Sequence, residues 1–283
     1  MIPHAPSPHA PSPRDADLAL AAEIAGNAGR IAMAHFGQSP AKWHKDDGSP
    51  VCAADLAVND YLRGVIAAAR PDDGWLSEES ADSAARLERR RVWVVDPIDG
   101  TRDFLRGRSG WAISVALVED GAVVAAVLHA PAQQRTYAAS AGRGAILNGK
   151  RLRVSGLATL DGVRLPIDQA NLTASFWPSP WPGTAVAKPN SLALRMAMLA
   201  ANEADAWMEG RSVGEWDVAA ASLILAEAGG LLTDRRGAAL AFNQPQPLIH
   251  GLAAATPALH GEVLARQDHA LRVFSARRRG MTA

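Results

Sequence analysis

The sequence predicts an α+β protein made of stacked helical and sheet layers rather than a doubly wound sheet. Three observations carry this. Apolar residues recur at helical spacing near both ends of the chain, while from Trp111 to Ser155 the period drops to two, with glycine turns. In that middle stretch strand follows strand with no helix between, as an antiparallel sheet requires. No Gly-x-Gly-x-x-Gly follows a strand and no Gly-x-x-x-x-Gly-Lys occurs, so dinucleotide and P-loop readings have no support.

The elements follow in order. Residues 4–13 are His-Ala-Pro-Ser-Pro twice over, and proline at this density predicts a disordered tail over 1–14. Leu18, Ala22, Ala25, Gly29, Ala32, Met33 and Phe36 place a helix over Asp15–Phe36; Gly37–Pro50 reads as a loop. Leu56, Tyr61, Leu62, Val65 and Ile66 place a second helix over Ala53–Ala69. Pro71-Asp72-Asp73-Gly74 turns into a short strand, Trp75-Leu76, ending at Glu78-Glu79, and a charged loop or helix edge fills 81–91. Val92–Val95 is a buried strand that Pro97 should end. Ala112–Val118, an Asp120-Gly121 turn and Val123–His129 make a hairpin, continued by strands at Arg135–Ala139 and Ala145–Val154. A second portion holds a helix Ser191–Ala201, a strand Asp205–Met208, a helix Asp217–Ala228, strands near Leu231 and Leu252, and a helix from Thr256-Pro257. The expected division is a half at 15–155 carrying the antiparallel sheet and main site, a half at 156–275, and a basic tail at 276–283.

Composition sets the class. The 283 residues suffice for a large core, and 48% hydrophobic with 20% charged residues is ordinary for a globular protein. Lys+Arg and Asp+Glu are both 29, so no global field favours nucleic acid or an anionic membrane. Cys52 is the only cysteine, which excludes an intrachain disulfide and a thiolate metal cluster and fits a reducing compartment. No run approaches the roughly 18 apolar residues of a spanning helix, and no signal peptide is evident, so a cytoplasmic protein is expected. His35, His44, His129, His250, His260 and His269 lack zinc spacing and read as structural.

The chemistry centres on Asp96-Pro97-Ile98-Asp99-Gly100-Thr101. Two carboxylates close together at a strand end, beside a hydroxyl, suit a hard cation such as Mg²⁺, and Mg²⁺ suits phosphate. Gly100 permits the tight backbone this needs. Asp55 and Asp217, taken singly, read as helix caps, and Glu78-Glu79 as an exposed acidic pair. Their occurrence in one order changes the reading. Haloacid-dehalogenase-type phosphatases need an aspartate two residues before Asp99; Pro97 stands there.

The ordered set resembles the inositol monophosphatase superfamily of Mg²⁺-dependent, lithium-sensitive phosphomonoesterases. The resemblance rests on Leu76–Ser80, Asp96–Phe104, Gly142–Gly149, Trp216–Ala220 and Ala226–Gly230, and extends over about residues 16–266. It implies an α/β/α/β/α sandwich and a site using two or three Mg²⁺ ions. Glu78, Asp96, Asp99, Asp217 and the Ile98 carbonyl would hold them, with Glu79 supporting a further ion or its water. The Gly100 and Thr101 amides would hold the phosphate, and Asp55 with Thr101 would orient and deprotonate the attacking water. It also implies a small phosphorylated metabolite as substrate, with no nucleic-acid or membrane partner, and the homodimer the family often forms.

For the substrate, Arg102-Asp103-Phe104 is more similar to the 3'(2'),5'-bisphosphate nucleotidases, which convert 3'-phosphoadenosine 5'-phosphate to AMP, than to the inositol-type Thr-Asn-Phe. Arg102 suits a second phosphate. Lys188 in Lys188–Leu192 is a further candidate phosphate contact, and Phe176-Trp177 either stacks a base or packs on the core. Glu209 could serve a polyol hydroxyl, but lies one residue farther from Trp216-Asp217 than the inositol pattern. Inositol monophosphatase and histidinol phosphatase are the alternative activities. A catalytically dead phosphometabolite sensor would have lost ligand carboxylates, and an RNA-associated protein would carry a basic stripe.

Overall fold

The computed structural model describes residues 13–38, 42–44 and 50–280. Residues 1–12 of the expected tail lie outside them, while Pro13 and Arg14 already belong to the first helix. The elements are α1 (Pro13–His35), β1 (Lys42–His44), β2 (Pro50–Cys52), α2 (Ala53–Ala69), β3 (Gly74–Ser77) and β4 (Arg91–Asp99). Then come α3 (Thr101–Leu105), β5 (Ala112–Glu119), β6 (Ala122–Ala130), β7 (Arg135–Ser140), β8 (Gly144–Leu147) and β9 (Lys150–Arg151). The remainder is β10 (Val163–Leu165), β11 (Gly183–Ala185), α4 (Leu192–Ala200), β12 (Ala206–Gly214), α5 (Ala219–Glu227), β13 (Leu231–Asp234), β14 (Leu248–Ala255) and α6 (His260–Gly280).

Five layers result. A seven-stranded sheet runs β3-β4-β5-β6-β7-β8-β9, with β3 parallel to β4 and every later pair antiparallel. Alternation along each strand sends side chains to opposite faces. Trp93, Val95, Ile113, Val115 and Leu117 pack with Ile24, Ala28, Val58 and Leu62 of α1 and α2. Val92, Val94, Ala116 and Leu128 pack with Met196, Leu199, Ile224 and Leu225 of α4 and α5. The far side of those two helices meets Trp207, Leu252 and Ala254 of a second sheet, ordered β12-β14-β13. Its outer face, through Ala206, Ala253 and Ala255, meets Leu259, just ahead of α6, and Val263 in its first turn. This is the α/β/α/β/α sandwich expected from the sequence.

Several local readings change. Gly37–Pro50, a loop by its composition, contains β1 and runs into β2; the two strands pair antiparallel but are too short to show a period. Ala145–Val154 is broken by a turn at Asn148 and Gly149, both with positive φ. The basic end is not a separate tail from 276, because α6 continues to Gly280. Pro97 does not end β4 either: the ladder with β5 pauses after Asp96–Ser114 and resumes at Asp99–Ala112. Proline is tolerated because it sits in that irregularity, where no ladder N–H is needed.

Asp205, buried ahead of β12, fastens the second sheet to β10. It accepts the Arg164 backbone N–H at 2.8 Å, the Arg164 guanidinium at 2.8 and 2.9 Å, and the Ser155 hydroxyl at 2.5 Å. Those bonds outweigh burial and hold its carboxyl below the ordinary range.

Candidate active site

The pause in the β4–β5 ladder builds the centre of the site. In a regular strand, residues 96 and 99 would face opposite sides of the sheet. The irregularity at Pro97-Ile98 turns both carboxylates to one side. The Ile98 N–H donates back to Asp96 Oδ1 at 3.0 Å, which fixes that side chain. Gly100, at φ 95°, then reverses the backbone into α3.

Asp217 arrives from the second half. The helix expected over Asp217–Ala228 is divided: a 3-10 turn covers Glu215–Asp217 and α5 begins at Ala219. Asp217 therefore accepts the N–H of Gly214, behind it, at 2.8 Å, rather than capping α5. Asp96, Asp99 and Asp217 each present one oxygen within 4.8 Å of the others. With Glu78, Gly100, Thr101, Arg102, Asn190, Leu192, Arg195 and Arg211 they line a cavity of about 210 Å³.

The electrostatics of this cluster are unfavourable by themselves. Burial first, then the charges of Glu78, Asp99, Asp217 and Asp55, hold the Asp96 carboxyl well above the ordinary range. Asp99 is pushed up to about 6 by burial, against three opposing hydrogen bonds. These come from the Ser191 hydroxyl at 2.5 Å and the backbone N–H groups of Ala193 and Leu192 at 2.8 and 3.2 Å. Asp99 is thus seated on the first turn of α4. Asp55 is also raised to about 6, mainly by burial. One of its oxygens accepts the Cys52 N–H at 2.8 Å, which is the cap expected from the sequence; the other faces the Thr101 hydroxyl at 3.3 Å. The same hydroxyl reaches the Ile98 carbonyl at 3.0 Å. Burial drives the neighbouring Cys52 thiol up to about 12, so it stays protonated.

Asp96 Oδ2 is buried without a hydrogen-bond partner among the described residues. An orphaned buried carboxylate oxygen is costly unless something outside the polypeptide meets it. Three converging carboxylates and a nearby carbonyl form an all-oxygen donor set that fits a hard divalent cation. The residues present fit the metal that the resemblance implies.

Other expectations resolve less simply. Arg102 lines the cavity, but Lys188 does not: its ammonium pairs with Asp168 at 2.6 Å and lines a neighbouring cavity with Asp103, Arg108 and Pro189. Glu209 is absent from the lining and is bound by Arg211. Glu79 follows the end of β3, its N–H on the Ser77 hydroxyl, and is not a lining residue. Phe176 and Trp177 pack on each other, on Phe274 and on Trp181 rather than on the cavity, so the packing alternative describes them. Sequence reasoning missed Ser191, Asn190, Arg195 and Arg211 as site residues. The first two lay inside the Lys188–Leu192 segment already singled out, and Arg211 inside the extra spacing noted after Glu209.

A Cβ at position 100 would lie 2.7 Å from the Gly110 carbonyl and 2.8 Å from the Ser191 N–H, besides facing a positive φ. Gly100→Ala is expected to cost at least about 2 kcal/mol of stability, read by thermal melting, because backbone on both sides must move. A melting temperature within a degree of wild type would show that this reversal is not constrained as described.

The chain matches the inositol monophosphatase family over residues 14–271. A Streptomyces griseus protein named glucose-1-phosphate thymidylyltransferase is 38% identical over 232 residues, 79% of this chain and 87% of that one. A histidinol-phosphatase of Mycobacterium tuberculosis is 34% identical over 269 residues, 88% of this chain and 97% of its own. The solved structure of a Thermotoga maritima IMPase is similar with a TM-score of 0.78 at 29% identity, covering 91% of this chain and 98% of that one. Together with the converging carboxylates and the five-layer sandwich, these likenesses make the chain a member of the inositol monophosphatase family of phosphatases.

Proposed function

We propose that the chain is a Mg²⁺-dependent phosphomonoesterase that hydrolyses a small phosphorylated metabolite. The carrying observation is the Asp96–Asp99–Asp217 cluster, with its partnerless Asp96 oxygen, opening on the cavity beside Gly100 and Thr101. Glu78, Asp96, Asp99, Asp217 and the Ile98 carbonyl would hold Mg²⁺, two or three ions in all, with Glu79 at the edge. When bound, such ions lower the pKa of water and neutralise charge on the phosphate.

The chain's own groups do the rest. The Gly100 and Thr101 N–H groups, at the start of α3 on the cavity wall, would hold the phosphate oxygens and keep the ester in line. The Thr101 hydroxyl, between Asp55 and the Ile98 carbonyl, orients the attacking water. Asp55 takes that water's proton through Thr101 as the new P–O bond forms; the ester P–O bond breaks, and the alcohol oxygen leaves and takes a proton from solvent. The first turn of α4 keeps Asp99 from swinging out of the cluster.

The relatives carry differing names, so the alcohol is read from the cavity wall. Arg102, Arg195 and Arg211 line it, which supports a substrate with a second anionic group, the 3'(2'),5'-bisphosphate nucleotide being the leading case. Its base would find no aromatic platform on this wall. Inositol phosphate and histidinol phosphate would both draw on a free carboxylate, and Glu209 is held by Arg211.

Phosphate release from adenosine 3',5'-bisphosphate, inositol 1-phosphate and histidinol phosphate, with Mg²⁺, with chelator and with added Li⁺, tests the reading. Mg²⁺-dependent release from at least one ester is expected, with the bisphosphate fastest. Binding without turnover of any ester would support a sensor instead.

A further inference from the structure

The strand β12 carries one residue more than its partner β14 at a single place. Glu209 pairs with Leu252 and Ser212 with His250, so three steps on β12 match two on β14. The extra residue makes a bulge of Gly210 and Arg211. Opposite it, Gly251 has a φ of 74°, which lets β14 follow the bend.

The bulge decides which side chain the strand shows to the cavity. Arg211 lines it; Glu209 does not. Glu209 is instead the lock on Arg211: its Oε1 accepts the Arg211 backbone N–H at 3.0 Å and Nε at 3.1 Å, and its Oε2 accepts Nη2 at 3.0 Å. The remaining nitrogen, Nη1, has no protein partner among the described residues, and the side chain is 72% exposed. A planar fork fixed along one edge and open along the other suits the oxygens of a carboxylate or phosphate.

Two further guanidiniums share the wall. Arg195, only 9% exposed, is anchored through Nε to the Pro189 carbonyl and through Nη2 to that of Asn190. Among the described residues neither Arg195 nor Arg102 forms an ion pair. The cavity therefore has a carboxylate pole, where the scissile phosphate would sit, and a guanidinium wall on which, among the described residues, Glu209 is the carboxylate in a direct ion pair, while Asp217 and Asp99 act on Arg211 and Arg195 from farther off.

We infer that Arg211, turned inward by the bulge and locked by Glu209, is the specificity-determining residue, reading a second anionic group on the alcohol part of the ester. This rests on the phosphomonoesterase reading and extends it. Esters of neutral polyols are the poor substrates, because Glu209 cannot leave Arg211 to accept their hydroxyls.

The test uses the full chain with Mg²⁺ and two matched pairs of esters. Glycerol 2-phosphate and 2-phosphoglycerate differ by a carboxylate; adenosine 3'-monophosphate and adenosine 3',5'-bisphosphate differ by a phosphate. Wild type should favour the anionic member of at least one pair by about tenfold or more in kcat/KM, the scale of a charge-assisted hydrogen bond, and the pair that responds identifies the anion. Arg211→Met should bring that ratio close to 1, chiefly through KM, and Arg211→Lys should keep part of it. Glu209→Gln, which loosens the lock but leaves the guanidinium, should raise KM for the anionic member while its preference persists. Arg211 is exposed, so melting of the Met variant should stay near wild type and separate lost recognition from lost folding. A wild-type ratio near 1 in both pairs, or a Met variant that keeps the wild-type ratio, overturns the inference while leaving the phosphatase intact. Absence of Mg²⁺-dependent phosphate release from any ester overturns both.

Discussion

Asp96→Asn should lower kcat/KM on the enzyme's best ester by at least about 10²-fold, roughly 2.7 kcal/mol of barrier, while making the metal-free chain more stable. The two effects have one cause. In the absence of metal the Asp96 carboxylate is buried, one oxygen has no partner, and Glu78, Asp99, Asp217 and Asp55 all repel it. An asparagine keeps the shape and can still accept the Ile98 N–H, but it removes the charge and offers an N–H₂ to the neighbouring carboxylates. What it removes equally is a ligand for the cation. A residue with a purely structural role gives the opposite pattern, lower stability and nearly normal turnover. The check is paired: steady-state rates, and melting curves with chelator and with excess Mg²⁺. Wild type should gain melting temperature with Mg²⁺ by mass action, and the variant should gain much less. Full activity, or an unaltered Mg²⁺ response, would remove Asp96 from the metal centre.

The stability of the metal-free chain should fall as pH rises from about 4 to above 6, and Mg²⁺ should abolish that fall. Asp55 and Asp99 both stand at about 6 in the folded chain against 3.8 when unfolded, and Asp96 is also raised. A carboxyl raised on folding favours the folded state fully below its unfolded value; that contribution is lost as pH climbs through the folded value. Moving one carboxyl from 3.8 to about 6 costs about 3 kcal/mol of stability at neutral pH. The cluster as a whole therefore costs the metal-free chain several kcal/mol at neutral pH, a large part of the margin of a typical domain. Below pH 4 the trend reverses, because Asp205 and Asp82, held down by Arg164 and Arg86, lose their stabilising charge as they protonate. Denaturant melts across pH 4 to 8, with chelator and with Mg²⁺, give the two curves. A metal-free stability that rises from pH 5 to 8 would mean that these carboxylates are not crowded as described.

Much of this site is legible in the amino-acid sequence, for specific reasons. Asp96, Asp99, Gly100 and Thr101 lie in one short stretch whose strand and turn signals are strong, so their convergence follows locally. Asp217 and Glu78 were legible only through their order in the chain, since each alone reads as a cap or a surface acid. Strand limits were misjudged where one residue was given too much weight: Pro97 ends no strand, because a break in the ladder absorbs it. The α5 start was misplaced because an aspartate before an apolar run looks like a cap, whereas Asp217 bonds backward to Gly214. Lys188 failed as a cavity residue because its partner, Asp168, lies twenty residues away in a segment without a periodic signal. Arg211 is the opposite case: the sequence showed an odd spacing, and only strand register reveals that the extra residue turns a guanidinium inward.

The grip of α4 on Asp99 also bears on how the polypeptide becomes an enzyme during synthesis. A strand-end carboxylate is anchored by residues 92 to 94 positions farther along, and its companion Asp217 lies beyond them. The chain through β9 contains Glu78, Asp96 and Asp99, yet it lacks both the α4 turn that seats Asp99 and the Asp217 that completes the triad. The site is therefore complete only once α4 and the segment carrying Asp217 have docked against the first sheet.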